Sequence, residues 1–109
     1  MFGSVEWYVT YGVRSSLSEE EIVLVMRKAK ELLGYKYVDG KRIAPDMIVV
    51  EPGDGEEVRF EDYYEFPDGR EYPITAVVKL PISRKVYVKA DVYGRGERVS
   101  VVVMLPDEY

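Results

Sequence analysis

Carboxylates are the residues of this chain whose type and spacing come closest to a catalytic set. Glu57, Glu61, Asp62 and Glu65 fall close together. Acid–base work by such a group needs one member whose pKa is raised by burial. From Glu57 to Phe66 the chain alternates, with Val58, Phe60, Tyr64 and Phe66 on one face and Glu57, Arg59, Glu61, Tyr63 and Glu65 on the other. Only Asp62 falls in the apolar register, and a β-bulge that turns it to solvent accounts for it more simply than a buried acid does. Asp54-Gly55-Glu56-Glu57 has the acids of a calcium loop without its full alternation of ligands, and reads as a solvated turn.

Other chemistries are limited by what is missing. The 109 residues contain no histidine, cysteine, asparagine or glutamine. A Ser-His or Cys-His nucleophile pair therefore cannot form, nor can a thiolate or imidazole zinc site. Gly94-Arg95-Gly96 lacks the remaining spacing of a dinucleotide fingerprint and reads as a hairpin turn. No catalytic residue, metal or cofactor is expected. A net charge of −5 and a pI near 4.8 argue against general nucleic-acid binding, which needs a basic surface. Between Glu51 and Glu71 nine acids face two bases, a local −7 that leaves +2 on the rest. A solvated strand face and loops explain this stretch; an acidic docking edge would require the carboxylates to cluster in space.

Such losses have two sources. Hyperthermophile chains shed heat-labile amides and cysteine, and computational design omits cysteine and favours strong local propensity. Complete absence of all four types favours the designed origin, although Arg14-Ser15-Ser16 and Leu80-Pro81-Ile82 are irregular for an idealised backbone. Either origin leads to an expected melting temperature above ~90 °C.

The positioning elements follow from periodicity. Val5, Trp7, Val9 and Tyr11 alternate and predict a first strand, followed by a loop over 12–17. Ser18 and Glu21 form a capping box for a helix that Gly34 stops. Glu19, Glu20 and Glu21 lie at its positive dipole end, and Arg27, Lys28 and Lys30 toward the negative one. Ile22, Val25, Met26, Ala29, Leu32 and Leu33 make one apolar stripe; Val23 and Leu24 point elsewhere. Asp39-Gly40 predicts a tight hairpin between 35–38 and 41–43. Met47 to Val50 is a short apolar strand. Segments around 57–66, 74–80, 86–92 and 99–105 then predict a four-stranded antiparallel meander, with turns at Pro67-Asp68-Gly69 and 94–97.

Residues 1–109 thus predict a single α+β domain, one helix packed on a curled antiparallel sheet of five to six strands. A helix about 10 Å across covers about two strands, so a wider sheet must curl around it. The element order is similar to the helix-gripping sheets of cystatin-like and hot-dog proteins. That likeness is one of topology alone, and no functional residue is carried over from it.

On that sheet, the face away from the helix is expected to carry Tyr8, Tyr63, Tyr87, Tyr93 and Met104, with Val77, Val102 and interspersed lysines. These are the candidate binding residues, for a protein partner or a second copy; strand propensity of tyrosine is the simpler explanation of them. The leading functional expectation is a non-enzymatic, highly stable scaffold, of designed origin and requiring no partner. The alternatives are a small hyperthermophile interaction protein and a ligand-binding or carboxylate enzyme with a pocket between helix and sheet. Neither a leader peptide nor a membrane span is read from the residues, so a soluble protein is expected, cytoplasmic if natural.

Overall fold

The computed structural model describes residues 4–34, 37–55, 57–94 and 97–109. Tyr35, Lys36, Glu56, Arg95 and Gly96, which the sequence assigns to a hairpin, an acidic turn and the last turn, lie outside the described residues, as does 1–3.

The chain runs β1 (Ser4–Val9), α1 (Tyr11–Ser16), α2 (Glu19–Leu32), β2 (Tyr37–Val38), β3 (Lys41–Arg42), β4 (Met47–Pro52), β5 (Val58–Glu65), β6 (Glu71–Leu80), β7 (Val86–Tyr93) and β8 (Arg98–Met104), then a 3₁₀ turn, Pro106–Glu108. Six strands form one sheet in the order β1-β8-β7-β4-β6-β5, and β2-β3 is a separate hairpin. The fold is α+β, as expected. The sheet, however, is mixed: β1 runs parallel to β8, and β4 parallel to β6. The antiparallel meander is therefore broken between β6 and β7, where β4 inserts. A reason is visible in β4 itself. Ile48 and Val50 are buried on the helix side while Met47 and Val49 are apolar on the other, and a strand apolar on both faces belongs in the interior of a sheet.

The stretch expected as a loop after the first strand is partly helical. Thr10 caps α1, its Oγ1 accepting from the Val13 amide at 3.2 Å. Val13 and Leu17 are four apart and both buried, a single turn of helical periodicity too short to stand out in sequence. Tyr11, assigned to the strand, is instead the first residue of α1 and is exposed. The capping box of α2 forms as expected: the Ser18 amide donates to Glu21 Oε1 at 2.8 Å, and the Glu21 amide to Ser18 Oγ at 3.2 Å. The second carboxylate oxygen of Glu21 accepts from the Ser83 amide, joining the helix start to the β6–β7 connection.

The stripe of α2 packs as the sequence predicts. Val25, Ala29 and Leu33 are buried in one core with Val13 and the sheet residues Ile48, Val78, Val88, Val101 and Val103, while Ile22, Met26 and Leu32 pack at its rim. Asp39 (φ 54°) and Gly40 (φ 75°) both take left-handed backbone, the requirement of a two-residue type I′ turn. This hairpin is pinned at two points. Arg42 Nη1 donates to the Ala90 carbonyl on β7, and Arg70 Nη2 to Asp39 Oδ2 at 2.8 Å. Arg70 also stacks over Phe66, whose ring meets Tyr64 and Tyr72 edge-on.

The irregularity expected at Asp62 is present. Phe60 faces Ala76 and Asp62 faces Thr75, so β5 carries one extra residue; at the next step β6 carries the extra one, bringing Pro73 opposite Tyr63. A proline without an N–H is accommodated at such a break in the ladder. Asp62 leaves the helix-side register and accepts a hydrogen bond from Thr75 Oγ1 at 3.2 Å.

Candidate functional site

The sheet has two edges, and they differ. β5, at one end, carries two register shifts and the charged Arg59, Glu61, Asp62 and Glu65, devices that discourage pairing with another strand. β1, at the other end, is a regular six-residue strand, Ser4-Val5-Glu6-Trp7-Tyr8-Val9, with no proline or lysine and one acid. That acid, Glu6, is held on its own sheet by Arg98 at 3.3 Å and by the Tyr8 hydroxyl at 2.7 Å, which together keep its carboxyl below the ordinary range, the tyrosine contact contributing most.

Hydrogen-bond directions in β1 follow from its pairing. The Ser4 amide donates to the Glu97 carbonyl and the Thr10 amide to the Val103 carbonyl, both at 3.1 Å. With a strand period of two, the amides and carbonyls of Val5, Trp7 and Val9 face the open edge. Backbone groups so placed can receive a further strand.

Beside this edge runs an apolar groove. Trp7 and Val9 of β1, Arg14 and Leu17 of the α1 region, and Glu19, Ile22, Val23 and Met26 of α2 enclose a volume of about 520 Å³. The groove continues past Trp7, Val23 and Met26 to Arg27 and Lys30. The stripe of α2 explains the wall: Ile22 and Met26 sit at the edge of the core, and Val23, off the stripe, is 50% exposed above them. The walls of the groove are apolar and its ends carry charged side chains.

The residues singled out from the sequence are partly brought together. Tyr8 lies opposite Val102, and Tyr87 opposite Met104, on the face away from the helices. Met104 is buried, the Tyr109 ring packs edge-on against Tyr87 at 6.0 Å, and Lys85 reaches over Tyr87. Tyr93 lies at the end of β7, opposite Arg98. Tyr63 is on β5, the strand farthest from Tyr8, so about 24 Å of sheet separates these two at ~4.8 Å per strand. Its hydroxyl donates to the Phe60 carbonyl. Tyr87 and Met104 are neighbours; Tyr63 and Tyr93 stand apart from them.

The carboxylates are mostly paired or dispersed. Arg59 lies 3.6 Å from Glu51 and 3.4 Å from Glu61, and Arg70 Nε is 2.5 Å from Asp68, close though not aligned as a hydrogen bond. Among the described residues, every carboxylate with a resolved shift moves down. Backbone amides hold Glu21, Asp68 and Glu108 in the charged form, with the Thr10 hydroxyl adding to Glu108. A general acid needs the opposite shift. Among the described residues no group of three or more acids is arranged to hold a metal, and no helix is long and apolar enough to cross a membrane.

Sequence reasoning set Trp7 and Val9 on the core face and did not connect them with Val23. Two signals were present: the off-stripe position of Val23, and a first strand lacking the charges that mark β5. Compared with family models, with curated proteins and with solved structures, the chain matches none.

Proposed function

We propose that this chain is a non-enzymatic, heat-stable interaction domain that docks its partner along β1 and the groove beside α2. The observation that carries this reading is the contrast between the edges: β5 is guarded and β1 is not, and the unguarded edge alone is bordered by the Trp7–Val23–Met26 groove. The tyrosine face is a weaker candidate, because Met104 is already buried and Tyr109 packs on Tyr87. A pocket enzyme is less favoured, since the groove between β1 and α2 is walled chiefly by Trp7, Val9, Leu17, Ile22, Val23 and Met26, with Glu19 as its one acid.

As to origin, the paired register shifts of β5 and β6 are local irregularities that an idealised backbone does without, which weighs toward a hyperthermophile chain over a designed scaffold. The likeness to cystatin-like and hot-dog proteins stays an analogy of element order, and the parallel β1–β8 and β4–β6 pairs stand apart from an all-antiparallel sheet.

Panning a random-peptide display library against the immobilised full chain tests the reading. Recovered peptides should bind the wild type and lose binding to Val23→Asp, while an outer-face control, Lys85→Glu, binds normally. Peptides indifferent to Val23→Asp, or no binders at all, would overturn it.

A further inference from the structure

Resting on that docking edge, the geometry points to a specific occupant: a second copy of this chain, paired about a twofold axis beside Trp7 and Val23. The backbone groups facing the open edge belong to Val5, Trp7 and Val9, three residues spaced evenly about Trp7. Antiparallel pairing with another β1 sets Trp7 opposite the partner's Trp7 and Val5 opposite the partner's Val9. All three positions are hydrogen-bonding positions, so each can exchange two bonds with its opposite number. The apolar Val5, Trp7 and Val9 side chains stay on the groove side, and Glu6 meets the partner's Tyr8 on the other face. A self-complementary strand of this kind is what an isologous interface requires.

The charges on α2 fit the same axis. The Val9 end of the groove is lined by Glu19, and the opposite end by Arg27 and Lys30, with Trp7, Val23 and Met26 common to both. Rotation about the centre therefore carries Glu19 toward the partner's Arg27, with Val23 against the partner's Val23. Glu19, Glu20, Arg27 and Lys30 are exposed, and among the described residues none of them forms an ion pair within the chain. Arg14 also lines the Glu19 end and offsets its charge there, so the complementarity rests on the Glu19–Arg27 pair itself. The six-residue strand and the 14-residue helix are each about 20 Å long, and such a strip buries on the order of 1,000 Å² in total, the low end for a specific interface. An interface of that size falls in the weak, transient class, and salt weakens it further because its charge pairs lie at the rim.

Sedimentation of the full chain from about 1 μM to about 1 mM, with charge-swapped variants, decides the matter. Arg27→Glu and Glu19→Arg should each weaken the wild-type dimer about tenfold or more by setting like charges across the axis twice. Mixed in equal amounts, the two variants should restore dimers, since the heterodimer regains opposite charges at both pairs. Unchanged melting of each variant at low concentration confirms that the fold is intact. A wild type that stays monomeric throughout, or variants whose mixture dimerises no better than either alone, overturns the inference. If peptides selected on the wild type still depend on Val23, the docking edge stands without the dimer; if they do not, both fall.

Discussion

Replacing Ile48 by alanine, with Val49→Ala as its counterpart, asks which face of the central strand β4 is the core. Ile48 is fully buried on the helix side, opposite Ala76 on β6 and Val88 on β7. Val49, next along the strand, is partly buried on the open face opposite Val77 and Tyr87. Ile48→Ala deletes three buried carbons, about 2.4 kcal/mol at ~0.8 kcal/mol each. The cavity left between two ordered neighbours adds about 1.5 kcal/mol, giving roughly 4 kcal/mol, inside the usual range of ~2–5. Val49→Ala loses two carbons of partly wet surface and some strand preference, about 1 kcal/mol. In guanidinium titrations the midpoint of the first variant should fall by about 1 M with an unchanged slope, and its melting temperature by roughly 15 °C. Equal losses at the two positions, or a larger one at Val49, would refute the assignment of the helix side as the single core.

Glu21 and Glu108 both have carboxyl pKa values below the ordinary 4.5, chiefly through backbone amides of Ser18 and Leu105 respectively. Because the folded value is the lower one, their contribution is present above pH ~4.5 and lost as pH falls through the folded value; denaturant midpoints should drop in that window, and less so in Glu21→Gln with Glu108→Gln. Gly12 lies under the Glu108 carboxylate, where an added Cβ would sit 2.8 Å from Oε2. Gly12→Ala should therefore lower the melting temperature of the wild type by displacing Glu108 from Thr10 Oγ1, yet raise that of Glu108→Ala, where only the better helix propensity, about 0.5–1 kcal/mol, remains.

Local signals read well from the residues, and long-range pairing did not. The capping box at Ser18–Glu21, the Asp39-Gly40 turn and the bulge at Asp62 depend on side chains a few positions apart, so their chemistry is written in adjacent letters. Strand order depends on which strand lies beside which, and alternation is silent on that; β6 and β7 look like hairpin partners because only five residues separate them, yet β4 lies between. The apolar run Met47-Ile48-Val49-Val50 was the available clue to a central strand. α1 was missed because Thr10, Val13 and Leu17 make a single capped turn. The groove of the proposed docking edge needed the structure, since Trp7 and Val23 meet only after the chain reverses between β1 and α2.

Amide hydrogen exchange along β1 tests the docking edge most directly. In dilute protein the Val5, Trp7 and Val9 amides should exchange rapidly while Glu6 and Tyr8, bonded toward β8, stay protected. Adding any edge occupant, whether concentrated wild-type chain or a selected peptide, should protect Val5, Trp7 and Val9 together and leave β5 unchanged. Protection that arises instead on β5 or around Tyr87, with these three amides still exchanging freely, would contradict it.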